Sequence, residues 1–215
     1  MIQDIAIYGA GGFGKEVACL INKINDISPT WNLIGFFDDG IKKETEISKY
    51  GKVLGGMVEL NDWKNKISIV FAIGVPRILS FLVNKIQNPK VNFPNIIHPE
   101  VFFADKSTLK MGKGNVIVRA CSFSCDVELG DFNQFNSISA LAHDVKVGSF
   151  NVFMPLSRIS GGTSIGELNL FGIGSVILQN IKIGNNTRFS AGCYVMRNTK
   201  DGMLYAGNPA KKYDI

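Results

Sequence analysis

The hydrophobic pattern of the chain changes near residue 100. Before that point, three apolar runs that end in glycine or aspartate indicate buried strands, at residues 4–9, 31–39 and 67–74. Residues 14–25 and 76–87 instead carry apolar side chains at helical spacing, and Pro76 suits the first turn of the second helix. Strands that alternate with helices predict a parallel sheet with right-handed crossovers.

From about residue 100 onward the sequence repeats every 18 residues. Each repeat begins with a large apolar residue that is followed by glycine, and these residues are Met111, Leu129, Val147, Ile165 and Ile183. Further large apolar residues come six and twelve positions after each of them. Three inward anchors per repeat predict a triangular coil, and successive coils should stack at about 4.8 Å, the spacing of hydrogen-bonded strands.

Two columns of small or amide side chains run between these anchors. One column consists of Asn115, Asn133, Asn151, Asn169 and Thr187, and the other of Cys121, Ser139, Ser157, Ser175 and Cys193. Such side chains, stacked level upon level, fit tight corners and predict a parallel β-helix of about five coils. We therefore predict an α/β domain over residues 1–95 and a β-helix over residues 96–215.

Composition and charge narrow the class of protein. The chain has 215 residues, of which 46% are hydrophobic, and its net charge of +5 is scattered along the sequence. The first residues have the pattern of a strand and lack the basic start of a signal peptide. No apolar run approaches the roughly 18 residues of a membrane helix. The four cysteines have no disulfide or metal-site spacing. We expect a reduced, cytoplasmic protein that binds neither a metal nor nucleic acid.

The segment GAGGFG, residues 9–14, follows the first strand and begins a helix. Gly11 and Gly12 would let the backbone approach a diphosphate, and the helix start offers free N–H groups. Asp38 and Asp39 end the second strand, where carboxylates can accept hydrogen bonds from ribose or sugar hydroxyls. A dinucleotide site, a nucleotide-sugar site and a simple turn all fit this motif. The few strands that precede the repeats disfavour the dinucleotide.

His143 is the candidate catalytic base. It follows the inward anchor Leu141 by two residues, and its column in the other coils holds Cys125, Gly161, Gln179 and Arg197. Such mixed polarity indicates an outer corner. Imidazole accepts protons near neutral pH, and Asp144 can orient it if the chain bends there. A buried structural histidine and an idle surface histidine are the alternatives. The second histidine, His98, precedes Pro99 and is interpreted as a linker or cap.

The whole chain resembles the hexapeptide-repeat acyltransferases. Besides the repeats, the segments YGAGGFGKEVA (residues 8–18) and GNPAK (residues 207–211) resemble the sialic acid O-acetyltransferases and bacillosamine N-acetyltransferases. This resemblance implies a Rossmann-like half domain followed by a left-handed parallel β-helix. It also implies a homotrimer, acetyl-CoA as the donor, an activated sugar as the acceptor, and no metal.

The same resemblance assigns further residues to the site. Asn136 matches a family asparagine that lies beside the histidine. The nucleotide-sugar acceptor would be lined by Gly11, Gly12, Phe13, Asp38, Asp39 and Gly74. CoA would lie in the groove between neighbouring β-helices and contact Gly161, Ile173, Ala191 and, through its phosphates, Lys211. Backbone N–H groups around Gly161 would bind the thioester oxyanion. At two positions where the family has a histidine, this chain has a different residue. These residues are Phe13 near the acceptor and Val152 near the donor.

The leading interpretation is acetyl transfer from acetyl-CoA to the amino group of a nucleotide-linked sugar, for surface polysaccharide or glycan biosynthesis. O-acetylation of a sugar of the sialic acid type is the alternative within the same enzyme class. A non-catalytic hexapeptide-repeat protein that binds a nucleotide is the third interpretation. His143 with Asp144 and Asn136 favours an enzyme, because a scaffold has no use for such a set.

Overall fold

The computed structural model describes residues 2–214, and its first part is a parallel sheet with helices. The elements in chain order are β1 (Gln3–Tyr8), α1 (Gly12–Ile27), β2 (Trp31–Phe37), a 3-10 turn (Ser48–Tyr50), β3 (Val53–Gly55), α2 (Met57–Asn61), β4 (Ile67–Phe71), α3 (Pro76–Asn84) and β5 (Val91–Asn92). The strand order is β3-β2-β1-β4-β5. Strands β2 and β3 lie on one side of β1, and β4 and β5 lie on its other side. The strand order therefore reverses between β1 and β4, which flank the topological switch point.

Burial explains why these segments form a parallel sheet. Ile5, Ala6 and Ile7 are fully buried, as expected for a strand that is covered on both faces. In α1, Val17 and Ile21 are also buried, which confirms the predicted helical face. The three predicted strands and two predicted helices are present. Strands β3 and β5 were not predicted, because they contain only three and two residues. Segments of this length are too short to show a hydrophobic period.

The second part is a three-sided parallel β-helix. The first face contains β6 (Ile96–Ile97), β9 (Val116–Ile117), β12 (Gln134–Phe135), β15 (Val152–Phe153), β18 (Leu170–Phe171), β21 (Arg188–Phe189), β23 (Leu204–Ala206) and the antiparallel β24 (Lys211–Tyr213). The second face contains β7 (Phe102–Phe103), β10 (Ser122–Phe123), β13 (Ala140–Leu141), β16 (Arg158–Ile159), β19 (Val176–Ile177) and β22 (Tyr194–Val195). The third face contains β8 (Lys110–Met111), β11 (Glu128–Leu129), β14 (Lys146–Val147), β17 (Ser164–Ile165) and β20 (Lys182–Ile183).

The interior of the β-helix follows the predicted repeat. The anchors point inward and are buried, except for Met111, which is half-buried in the first coil. The rings of Phe135 and Phe153 stack with centroids 4.4 Å apart. In the asparagine column, the Asn151 N–H donates to Asn133 Oδ1 at 2.9 Å, and the same bond recurs at other levels. Side-chain stacking and backbone pairing therefore impose the same register on successive coils.

The α/β part packs on the outside of the first face. The outward residues Val116, Gln134 and Val152 are buried beneath it, and Gln134 Nε2 donates to the Phe71 carbonyl at 3.0 Å. Farther along the same face, Arg188 is exposed, because only the start of α3 reaches this level and it leaves the side chain uncovered. The last strand of the first sheet ends at residue 92 and the first strand of the β-helix begins at residue 96. The division into two domains at residues 95 and 96 stays a prediction.

Candidate active site

His143 lies at the corner between the second and third faces, which we call the histidine corner (residues 142–145 in this coil). Here Asp144 has a φ of 57°, in the left-handed region. This bend brings two consecutive side chains together, and His143 Nδ1 lies 2.8 Å from Asp144 Oδ2. The exposed fractions of the two side chains are 63% and 64%. His143 is therefore an outward, paired histidine and not a core residue.

The sequence also indicates this bend, through the residue types at this corner rather than through the apolar repeat. The residues with positive φ at this corner are Asp126, Asp144, Gly162 and Asn180, one in each of four successive coils. Aspartate, asparagine and glycine are the residues that adopt the left-handed conformation most readily. A column of only these types, spaced by 18 residues, therefore indicates that the chain bends at Asp144.

The far side of the imidazole lies over Gly161 of the next coil. A Cβ atom added at Gly161 would come within 2.6 Å of His143 Nε2, so the glycine leaves room for the ring in this position. When the Nδ1–H of His143 donates its hydrogen bond to Asp144, the Nε2 atom carries the lone pair that a general base needs. The hydrogen bond to Asp144 thus assigns the tautomer of His143, with the proton on Nδ1.

Gly161 also supplies an unused donor beside the histidine. Its carbonyl accepts a bond from Asn180 N–H at 2.9 Å, and the Gly162 N–H donates to the His143 carbonyl at 3.0 Å. The N–H of Gly161 itself donates to no other group within residues 2–214. An unpaired backbone N–H at this position suits an oxyanion, because thioester attack builds negative charge on the carbonyl oxygen.

Asn136, Ile173 and Ala191 lie elsewhere, at the corner between the first and second faces. We call it the apolar corner, because exposed Ile138, Leu156 and Ile173 lie along it. The amide of Asn136 donates to the Phe153 carbonyl at 3.1 Å, so it does not position His143 within one chain. Apart from Lys211, the predicted catalytic and CoA-binding residues thus form two groups, at opposite ends of the second face.

The predicted acceptor glycines are open to solvent at the switch point of the sheet. A Cβ atom added at Gly11, Gly12 or Gly74 would meet nothing within 4 Å. At Gly14 the same atom would lie 2.1 Å from the Gly9 carbonyl oxygen. Gly14 is therefore needed for packing of α1 against the loop, whereas the other three leave space that a ligand can occupy.

Asp38 and Asp39 hold the loops around these glycines. Asp38 accepts hydrogen bonds from the Ala10 N–H at 2.8 Å and the Gly40 N–H at 2.9 Å. Asp39 accepts one from the Tyr8 hydroxyl at 2.5 Å and one from the Met57 N–H at 2.8 Å. Burial and this carboxylate raise the pKa of Tyr8 well above its usual value. Each carboxylate oxygen keeps a second lone pair for a sugar or ribose hydroxyl.

The remaining candidate residues have varied surroundings. Phe13 is half-buried against the core of the α/β part, and Lys211 is exposed on β24. Val152 is fully buried on the first face, so this position cannot contact a donor in an outer groove. His98 is 8% exposed, and its Nδ1 accepts the Glu100 N–H at 3.0 Å. Burial lowers the pKa of His98, which favours the neutral ring.

Three properties of residues 2–214 bear on the class of protein. Histidine, cysteine, aspartate and glutamate side chains in this part of the chain form no group of three or more that could hold a metal ion. None of the helices within this range combines the length and apolar character of a membrane span. All four cysteines are free thiols, and burial raises the pKa of Cys121 and Cys193 to about 11.

Comparison with known proteins agrees with this architecture. Residues 4–86 match the family described as the PglD N-terminal domain. No curated protein matches the sequence of the chain. The acetyltransferase domain of PglB from Neisseria gonorrhoeae FA1090, in complex with acetyl coenzyme A, is 27% identical, with a TM-score of 0.89 over 99% of this chain and 100% of that one.

Two further solved structures share the fold. A variant of perosamine N-acetyltransferase from Caulobacter crescentus, in complex with CoA and GDP-perosamine, is 25% identical, with a TM-score of 0.87 over 100% of this chain and 99% of that one. WeeI from Acinetobacter baumannii AYE is 24% identical, with a TM-score of 0.87 over 98% of this chain and 100% of that one. These matches confirm the predicted fold class, including the left-handed β-helix, the resemblance to hexapeptide-repeat sugar acetyltransferases, and the acyltransferase class.

Proposed function

We propose that this protein transfers an acetyl group from acetyl-CoA to the amino group of a nucleotide-linked sugar. The observation that carries the proposal is the pairing of His143 with Asp144, which leaves Nε2 free beside the unused N–H of Gly161. Solved structures of similar proteins support the donor and the acceptor class, because they contain acetyl-CoA, or CoA with GDP-perosamine.

The site suggests how its own groups would act. The acceptor nitrogen attacks the thioester carbonyl, and His143 Nε2 takes the proton that this nitrogen loses. Asp144 stabilises the resulting imidazolium through Nδ1, and the Gly161 N–H donates to the oxyanion. When the tetrahedral intermediate collapses, the C–S bond breaks and the proton passes from His143 to the CoA sulfur. The products are an amide and free CoA.

The acting form is, in this proposal, a cytoplasmic homotrimer. A single chain separates His143 and Gly161 from Ile173 and Ala191 by the width of the second face. A heterologous contact that closes into a ring brings the histidine corner of one copy against the apolar corner of the next. Such a contact would also cover exposed Ile138, Leu156 and Ile173. Each trimer would then have three shared sites.

The α/β part would hold the nucleotide of the acceptor, and Gly11→Val tests this assignment. The φ of Gly11 is −78° and its added side chain has free space, so the fold should tolerate valine. We expect the acceptor KM to rise at least about tenfold, because the side chain blocks close backbone approach to the diphosphate. The KM for acetyl-CoA and the melting temperature serve as internal controls and should not change. An unchanged acceptor KM would remove this loop from the acceptor site.

The function itself can be tested with purified protein, acetyl-CoA, and UDP-, GDP- and dTDP-linked sugars in amino and hydroxyl forms. We expect free CoA and an alkali-stable amide from an amino form, and little turnover of the free amino sugar, which lacks the remote binding energy of the nucleotide. An alkali-labile ester formed only from hydroxyl sugars would establish O-acetylation instead. Absence of acetyl-CoA binding would favour the non-catalytic interpretation.

A further inference from the structure

A cleft of about 180 Å³ lies between the start of α3 and the part of the first face that the α/β part leaves uncovered. Arg77 of α3 and Arg188 of β21 both line it, together with Asn186. Arg188 departs from the pattern of its face, because the outward residues before it are uncharged, namely Ile96, Val116, Gln134, Val152 and Leu170. The first charged side chain of this face therefore lies where the cleft opens.

The two guanidinium groups have no carboxylate partner. Within residues 2–214, no aspartate or glutamate oxygen lies within 4 Å of Arg77 or Arg188. Arg77 Nε instead donates to Asn186 Oδ1 at 2.6 Å, which fixes the side chain and leaves its terminal nitrogens available. Two cations that share one cleft repel each other, so an anion bound between them would be stabilised by both.

The cleft adjoins the acceptor site proposed above. Gly74, at the carboxyl end of β4, precedes Val75, which lines the cleft, and Arg77 follows on the same segment. The open glycines Gly11 and Gly12 lie across the switch point, at the end of β1. A ligand that begins in this crevice and extends toward the β-helix would therefore pass the two arginines.

We propose that Arg77 and Arg188 bind the diphosphate of the acceptor. The inference rests on the proposed function and specifies which residues of the acceptor site read the charge of the substrate. Guanidinium groups match phosphate oxygens in bidentate geometry and remain charged at all working pH values. Because Arg77 belongs to the α/β part and Arg188 to the β-helix, the diphosphate would contact both parts at once. The arrangement would select sugars that carry a diphosphate over free sugars.

The experiment is calorimetric titration of the full-length protein with UDP, GDP, uridine, guanosine and inorganic pyrophosphate. The variants are compared with the nucleoside diphosphate that binds the unmodified protein. Arg77→Gln and Arg188→Gln should each weaken the binding of that nucleoside diphosphate about tenfold or more. Affinity for the corresponding nucleoside should change less than about twofold. Lys182→Gln removes the same charge from β20 on the third face, outside the residues that line the cleft, and is the matched control. It should bind every probe like the unmodified protein.

The outcomes separate this inference from the proposed function. Unchanged diphosphate affinity in both arginine variants, or losses equal to that of Lys182→Gln, would overturn the inference even if acetyl transfer to nucleotide sugars is observed. Farnesyl diphosphate carries the same diphosphate without a base. If it binds as tightly as UDP and GDP and depends on the arginines, the inference stands but the nucleotide part of the proposed function fails. If Arg188→Gln unfolds, Arg188→Lys retains the charge without the planar fork and should still weaken diphosphate binding.

Discussion

The histidine corner and the apolar corner belong to the same repeat but carry opposite kinds of side chain. Both corners require a left-handed residue in most coils. At the histidine corner these residues are aspartate, glycine or asparagine, which tolerate the conformation. At the apolar corner Ile138 and Leu156 have φ values of 65°, and their exposed fractions are 48% and 41%. Bulky residues are strained in the left-handed region, and apolar side chains that stay exposed contribute no hydrophobic stabilisation.

This difference shows how one chain divides a site. The histidine corner contains the base, its acid and an unused N–H, but few apolar groups that could bind a donor. The apolar corner contains Asn136 and exposed aliphatic side chains but no base. Strain and exposure at Ile138 and Leu156 are unfavourable in a single chain and are compensated if a second copy covers them. The two corners are therefore complementary halves of the proposed shared site.

Removal of the base should have the largest effect. We expect His143→Ala to lower kcat by about 10²–10⁴, because proton transfer by a positioned side chain contributes that much. Acetyl-CoA affinity should stay within a few fold and the melting temperature should not change, since the ring is exposed. Steady-state kinetics and calorimetry measure both quantities. Near-normal turnover of this variant would show that the histidine corner is not the catalytic half.

A charge placed at the apolar corner should affect the donor. Ile173→Glu should raise the KM for acetyl-CoA about tenfold, because a carboxylate would repel the phosphates of CoA. Ile27→Glu is the matched control, since it places the same carboxylate at an exposed isoleucine at the end of α1, outside both proposed sites. Initial rates at varied acetyl-CoA concentration report the difference. Equal behaviour of the two variants would leave the apolar corner without a role in donor binding.

Loss of the acid should have the smallest effect. Asp144→Asn keeps a residue that tolerates the left-handed bend, so the corner should retain its shape. In this variant His143 Nε2 keeps its lone pair and only the hydrogen-bond partner of Nδ1 changes, so we expect kcat to fall only about fivefold. A loss as large as that of His143→Ala would contradict this division of roles, because it would mean that the histidine cannot act without the carboxylate. Rates measured on both variants distinguish these cases.

Much of the fold was predictable from the sequence, because a β-helix is stabilised by contacts that recur every 18 residues. The anchors, the asparagine column and the outward position of His143 all follow from that period. The short strands β3 and β5 could not be predicted, since pairing with their neighbours rather than any pattern of their own defines them.

The candidate site was less accessible to sequence reasoning. The pairing of His143 with Asp144 depends on one left-handed dihedral angle, and the separation of Asn136 from His143 depends on which corner each occupies. Arg77 and Arg188 are far apart in sequence and come together only when α3 packs on the first face. Such contacts depend on the docking of the two parts, which no local pattern encodes.

Mixed trimers test the central claim, that one site joins two corners of two copies. Chains carrying His143→Ala and chains carrying Ile173→Glu, with different tags, would be co-expressed, and the mixed trimers purified and assayed at limiting acetyl-CoA. A site that combines the histidine corner of the second chain with the apolar corner of the first is unmodified, and every closed ring of three that contains both kinds of chain has one such site, about a third of its sites. We predict roughly that fraction of the unmodified rate. A rate equal to the average of the two parent trimers would contradict the shared site.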